Sequence, residues 1–241
     1  MTPSHQIIAI DGPAASGKTT AASELARRLG FLYVNTGAMY RAIALKALRK
    51  GISPEDSEGI ERLLDRTEVG LHRRGDGSTA VTLDGDDVSE AIKSHEVSHA
   101  SSVLSRFAPV RRRLVAEQRR IAAQGGTVAE GRDTTTVVFP DAKYKFFIDA
   151  SLETRAERRR KELLAQGIPI SLDEVREDLR KRDLADQTRE LSPLKKDPGA
   201  VLIDSTNLSP EEVIDQILQH LPDALKTRAD THPPKAEGHG G

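Results

Sequence analysis

The sequence of 241 residues predicts an α/β fold, a five-stranded parallel sheet flanked by helices. Three observations predict it. Five short runs rich in β-branched or aromatic residues, at 6–10, 31–34, 127–129, 144–148 and 200–203, read as buried strands. Long stretches with helical spacing separate them, and short runs alternating with helices are the signature of βαβ units. One stretch, 67–88, breaks the alternation: two β-prone runs flank Gly75-Asp76-Gly77, which signals a hairpin rather than a crossover.

In chain order, the first strand (6–10) runs into Asp11-Gly12-Pro13-Ala14-Ala15-Ser16-Gly17-Lys18-Thr19. A helix over 19–29 follows, with Ala22, Leu25, Ala26 and Leu29 on one face. The second strand (31–34) ends at Asn35-Thr36-Gly37-Ala38-Met39-Tyr40-Arg41 and feeds a helix over 39–48. Residues 51–96, around the hairpin, hold 12 Asp/Glu against 5 Lys/Arg, a net of −7. From 106 to 189 the balance reverses, 19 Lys/Arg against 14 Asp/Glu, or +5, so the chain's formal charge of −1 hides two opposed blocks. A helix over 110–123 aligns Leu114, Val115, Ile121 and Ala122, and the six arginines of 106–120 fit an exposed helix face. The third strand (127–129) leads to Glu130-Gly131-Arg132-Asp133, the fourth (144–148) to Asp149-Ala150-Ser151, and the fifth (200–203) to Asp204-Ser205-Thr206-Asn207. The expected division is a core of 1–35 and 97–225, a region of 36–96 enlarged by the hairpin, and a disordered tail of 226–241, which is polar, rich in Pro and Gly and without a period.

Composition narrows the function. Cysteine is absent, which removes disulfides, thiolate nucleophiles, zinc-thiolate sites and Fe–S clusters, so any metal must be held by oxygen or nitrogen. No apolar run approaches the ~18–20 residues of a membrane span. The first residues also lack the basic and apolar regions of a secretory leader, so a cytoplasmic protein without a membrane partner is expected. Near-neutral charge provides no general attraction for nucleic acid, and 5 Phe and 3 Tyr leave little for base stacking. No nucleic-acid partner is expected, and the chain is expected to be a monomer.

Residues 12–19 form a full G-x-x-x-x-G-K-[ST] in the strand–loop–helix setting that the motif requires. Gly12 and Gly17 let the backbone, through Pro13, Ala14, Ala15 and Ser16, turn its N–H groups inward around a phosphate, and the next helix presents its positive end. Lys18 is placed to reach the β- and γ-phosphates, Thr19 to ligate Mg²⁺, and Thr20 to donate to a neighbouring phosphate oxygen. The other strands also deliver polar clusters at their carboxyl ends, where open parallel sheets bind ligands. Two of these clusters contain an arginine, Arg41 and Arg132, whose fork matches a phosphate dianion that Lys18 is not free to hold. If 176–189 is helical, Arg182, Asp186 and Arg189 share one face, two cations to grip a phosphate and a carboxylate to accept from a sugar or base. Residues 153–161 carry Arg155, Arg158, Arg159 and Arg160 ahead of Gly167 and Pro169, the pattern of a short mobile lid over about 155–172 that brings arginines onto a polyphosphate. Lys18, Arg155 and Arg159 are the expected catalytic charges of a phosphoryl transfer between two bound phosphorylated ligands.

GPAASGKTT, TGAMYRA, EGRD followed by TVVFPDA, RKRDLADQTRELSPLKK and LIDSTNLS together resemble the bacterial cytidylate kinases, members of the P-loop nucleoside-monophosphate kinases, from about residue 6 to about residue 221. The resemblance implies a P-loop kinase core with a small antiparallel β insertion in the monophosphate-binding region and a short lid. It implies the reaction ATP + (d)CMP ⇌ ADP + (d)CDP, with Mg²⁺ required. By position it implies that Arg41 and Arg132 contact the acceptor phosphate beside Tyr40, and that Thr36 and Asp133 lie near the cytosine. Ser102, in a polar turn Ser101-Ser102, would touch base or sugar, and Arg182, Asp186 and Arg189 would hold the ribose and α-phosphate. The sequence departs from the family pattern at Asn35, often Asp, at Thr134-Thr135, often Ile-Gly or Met-Gly, and at Gln187, often Ser. The acceptor is already an oxyanion with a second pKa near ~6, so no general base is assigned. A P-loop kinase for UMP, AMP or shikimate is the alternative acceptor reading, and a nucleotide-dependent switch the alternative class. Against the switch, no N-K-x-D signature follows a strand and a second arginine-lined anion pocket would serve no purpose.

Overall fold

The strand Ile7–Asp11 (β1) sits at the centre of a five-stranded parallel sheet, between Thr127–Gly131 (β6) and Tyr144–Asp149 (β7), with Leu32–Asn35 (β2) and Val201–Asp204 (β8) at the edges. This is a computed structural model, and it describes residues 6–230. The β1–β6 ladder runs from Ile7↔Thr127 to Asp11↔Gly131, and the β1–β7 ladder from Ile8↔Tyr144 to Asp11↔Phe147. The two neighbours of β1 lie on opposite sides of it, so a crevice opens just past Asp11, the switch point where such sheets bind ligands.

Strand residues alternate between two cores, as the period of two demands. Ile8, Ile10, Val128, Phe146, Ile148 and Ile203 pack with Leu25 of Lys18–Leu29 (α1), Ile217 of Pro210–Gln219 (α8) and Leu225 of Asp223–Asp230 (α9). Val34 and Ala129 join the other core, with Met39 and Ile43 of Thr36–Arg49 (α2), Ile60 of Ser57–Leu64 (α3), Leu104 of His95–Leu104 (α4) and Leu114 of Ala108–Ala122 (α5). Burial on both faces is why the central strands β1 and β6 read as nearly continuous apolar runs, whereas the edge strand β8 exposes Leu202.

The expected hairpin has become a three-stranded antiparallel sheet of Val69–Arg73 (β3), Thr79–Leu83 (β4) and Asp86–Asp87 (β5). A second turn at Asp84-Gly85, both at positive φ (52° and 92°), folds the extra strand back onto β4, as such an Asp-Gly pair favours. Val69, Leu71, Val81 and Leu83 bury this small sheet in the same core as α2.

The stretch 155–172, expected as a short lid, is built from two helices: Leu152–Ala165 (α6) and Leu172–Thr188 (α7) pack on each other and bury Ala156, Leu163, Val175 and Leu179 together with Ala14 of the phosphate loop, leaving only 166–171 as the turn between them. Three expectations need correction. Ser102 lies within helix α4, not in a turn. The tail begins later than expected, because α9 carries helix through 226–230 and buries Leu225 and Ala229 against the α1 core; residues 231–241 lie outside the described residues. Finally, five of the six arginines of 106–120 are exposed, but Arg111 turns inward and is buried. Among the described residues no helix is long and apolar enough to cross a membrane.

Candidate active site

The loop between β1 and α1 is shaped by close approach and left-handed backbone. A Cβ on Gly12 would stand 2.0 Å from the Ile148 carbonyl oxygen, so no other residue fits where the loop crosses β7. Gly17 adopts φ 84°, and Ala15 holds a positive φ of 59°, a conformation that a non-glycine residue pays for in strain and that gathers at ligand-binding turns. Helix α1 starts without a side-chain cap and without an acidic residue in its first turn. Helices α2, α3, α4, α6, α7 and α8 all start from a side chain that accepts from the backbone. The free N–H groups of α1 are thus left for an anion.

Around the loop, Lys18 Nζ donates to the Pro13 carbonyl at 2.8 Å. Burial lowers its pKa to about 7; Arg132 and Arg182 push the same way, and Glu130 and Asp186 push back. Thr19 and Thr20 are exposed at the start of α1, and Thr19 Oγ1 donates to Glu130 Oε1 at 2.9 Å. The Glu130 carboxylate also accepts from the Tyr33 hydroxyl at 3.0 Å. From behind, Ser205 Oγ donates to the Ser16 carbonyl at 2.8 Å, and Arg158 donates to Ser205 O at 2.7 Å.

The second group of charges gathers beyond the ends of β2 and β6. Arg132 Nε donates to Asp186 Oδ2 at 2.8 Å, which brings α7 against the segment that follows β6. Burial alone would raise the Asp186 carboxyl, but Arg132, Arg182 and Arg189 hold it below the ordinary range. Desolvation in the cleft, then Arg132, Arg41 and Arg159, bring Arg182 down to about 10. The Arg41 guanidinium is lowered by desolvation as well, with Arg132 and Arg159 adding to it and Glu130 opposing. Arg159 makes its ion pair with the exposed Glu162 at 3.0 Å while its charge is felt by both Arg41 and Arg182. Among the described residues, Lys18, Arg41 and Arg182 form no ion pair of their own.

A third set lies deeper. Asp133 is buried, bonded to Arg111 and 3.8 Å from Arg189, and burial raises its pKa against the pull of both arginines. The Arg111 guanidinium lies 5.8 Å from the centre of the Tyr40 ring, and burial lifts the Tyr40 phenol to about 12. Thr36 is buried with its hydroxyl donating to the Glu130 carbonyl at 2.9 Å, and a Cβ on Gly131 would come within 2.4 Å of that hydroxyl. Thr36 therefore locks α2 to the end of β6.

The cytidylate kinase family model matches residues 8–223 of this chain. The chain belongs to the cytidylate kinase family. The cytidylate kinase of Caldanaerobacter subterraneus subsp. tengcongensis is 49% identical over 212 residues, covering 88% of this chain and 92% of its own. That of Desulfitobacterium hafniense is 49% identical over 220 residues, covering 91% and 94%. Membership in the cytidylate kinase family makes the chain a phosphotransferase with a phosphate group as acceptor, a nucleotide-binding kinase that uses ATP as donor, as the sequence led one to expect.

Two of the residues expected at the site behave otherwise. Arg155 is buried, its guanidinium donating to Ala150 O at 3.0 Å and Ala14 O at 3.3 Å and paired with Asp183 at 2.7 Å, so it braces the loop and α7 instead of standing free above them. Ser102, half-buried on α4, is not among the charged groups gathered here. Three residues were missed: Asp11, Glu130 and Arg111. The signal for Arg111 was present, since Arg111, Leu114, Gln118 and Ile121 share the buried stripe of α5 at helical spacing.

Proposed function

We propose that this chain transfers the γ-phosphoryl group of ATP to CMP or dCMP, giving ADP and CDP or dCDP, with Mg²⁺ bound beside Thr19. The observation that carries the reading is the convergence of the buried Lys18, the half-buried Arg41 and the exposed Arg182 on one cleft, none of them with an ion pair among the described residues. Leaving the buried Lys18 charged costs several kcal/mol, on the order of the effective penalty for a buried ion, unless an anion completes it. Two phosphorylated ligands would supply the missing charge, one on the loop 12–19 and one between Arg41, Arg132 and Arg182.

Thr19 and Glu130 fit the metal. Their hydroxyl and carboxylate oxygens are a hard donor set for Mg²⁺, and the described residues hold no cluster of three or more His, Cys, Asp or Glu that would complete a cage without phosphate oxygens and water. When bound, the ion neutralises charge on the phosphate oxygens. The protein does the rest by position. The backbone N–H groups of 12–19 orient the donor and Lys18 sits where charge accumulates on the transferring group. Arg132, fixed by Asp186, aims the acceptor phosphate, and Arg159 on the α6–α7 arm closes the charge from the far side.

For the base, the Asp133–Arg111 pair presents a carboxylate beside a guanidinium. Cytosine shows an N4 amino donor next to acceptors, the complement of that pair, whereas uracil presents an acceptor to the carboxylate. Asp186 is placed to accept from the sugar and Arg189 to support Asp133. In this reading 36–96 is the acceptor-binding region and the remainder to 225 the core. The chain works as a cytoplasmic monomer without nucleic-acid or membrane partners. ATP-dependent assays across CMP, dCMP, UMP and AMP test it: turnover is expected with CMP and dCMP, and equal turnover with UMP or ADP release without any acceptor would overturn it.

A further inference from the structure

Asp11 is the last residue of β1, and its side chain is completely buried. It has no cation partner among the described residues. Instead its carboxylate accepts from four neutral donors on two consecutive residues. Oδ1 takes the Thr134 N–H at 2.8 Å and the Thr134 hydroxyl, and Oδ2 takes the Thr135 N–H at 2.7 Å and the Thr135 hydroxyl at 2.6 Å. A buried carboxylate is costly unless its lone pairs are filled, and here all are.

The place of this bond set matters more than its strength. The β1–β6 ladder ends at Asp11↔Gly131, and past that pair the two chains diverge. One becomes the loop that starts at Gly12; the other becomes Arg132 and Asp133 and then the π-helical turn Thr134–Val138. With the ladder finished, the Asp11 carboxylate is the side chain that ties the root of the donor loop to the residues directly after Arg132, alongside the Thr134 hydroxyl's 3.1 Å approach to the Ile10 carbonyl. We propose that Asp11, through the hydroxyls of Thr134 and Thr135, is a positioning unit that sets the distance between the donor cradle and Arg132. It touches neither nucleotide. The proposal rests on the reaction given under Proposed function, because only an in-line transfer between two bound ligands makes that distance matter.

Thr135→Val tests it, since valine keeps the shape and the backbone N–H and removes one hydroxyl donor. Wild type is assayed first with ATP and CMP; an inactive wild type overturns the reaction itself and the proposal with it. With an active wild type, Thr135→Val is expected to lower kcat about tenfold and to raise the CMP KM, with the ATP KM unchanged, the order of loss that a small misplacement causes. Thr135→Ser, which restores the hydroxyl, is expected to return both constants to near wild type. Thermal unfolding of each variant runs alongside, and Thr134→Val serves if Thr135→Val does not fold. A purely structural role predicts a lower Tm with unchanged constants for the folded enzyme, and that result would overturn the proposal. An equal loss in Thr135→Ser, or a matching rise in the ATP KM, would overturn it too.

Discussion

In the proposed reading the donor cradle is one unbroken stretch, residues 12–19, that would bind chiefly with its backbone. The proposed acceptor side would draw on Arg41 from α2, Arg111 from α5, Arg132 and Asp133 from the segment after β6, and Arg182, Asp186 and Arg189 from α7 and its end. A backbone cradle is specified by local conformation, a glycine that must approach Ile148 and another at left-handed φ, and it serves any triphosphate. A side-chain cradle is specified by tertiary packing, shares its load among several cations, and is where selectivity for the base and sugar arises.

The largest effect should come from the one side chain on which the donor side depends. Lys18→Ala is expected to lower kcat by about a thousandfold, the loss typical of removing a preorganised charge from a transition state, with circular dichroism unchanged. Near-normal turnover would break the contrast at its stronger end. Arg132→Ala should raise the CMP KM by roughly tenfold to a hundredfold and lower kcat while sparing the ATP KM, since it removes a charge-assisted contact and leaves Asp186 without its 2.8 Å partner. A parallel rise in the ATP KM would show that the two halves are not separable. Asp133→Asn should reduce the preference for CMP over UMP by about tenfold, the worth of one lost charge-assisted bond, measured as the ratio of kcat/KM values.

The proton count sharpens the same contrast. Burial holds the Lys18 ammonium at about 7. A bound polyphosphate favours the charged form, so ATP binding takes up a proton above that pH and its affinity falls as pH rises. Stability runs the other way. The unfolded chain keeps the ordinary value of 10.5 and binds more protons between about 7 and 10.5, so the cost of burying Lys18 is relieved as pH rises through that window. Calorimetry at about pH 8 in buffers of different ionisation enthalpy reads the uptake, and its absence would contradict the placement of Lys18. The smallest effect belongs to neither half. Ending the chain after Lys226 removes the buried Ala229 from the α1 core and should cost about 1 kcal/mol, a Tm drop of a few degrees, with kcat unchanged.

Much of this was legible in the linear chain, in particular places. The parallel sheet and the hairpin were visible because strands buried on both faces are apolar runs, and because Gly75-Asp76-Gly77 punctuates as turns do; the strand order was not. The extra strand β5 escaped notice because only two residues form it. Arg155 and Arg111 depart from expectation in opposite directions, one expected over the phosphates and held by Asp183, the other expected in solvent and buried on Asp133.

What the sequence determined by itself is the phosphate-loop motif of 12–19, since its chemistry resides in consecutive residues whose φ angles and N–H groups need no distant partner. What only the tertiary structure decided is which arginines are braced by a carboxylate and which stand in the cleft without one. Arginines alike in composition differ in the phase of their helix and in the carboxylate that waits across the cleft. Burial, which sets whether a charge is solvated or must be completed by a ligand, is a property of those distant contacts.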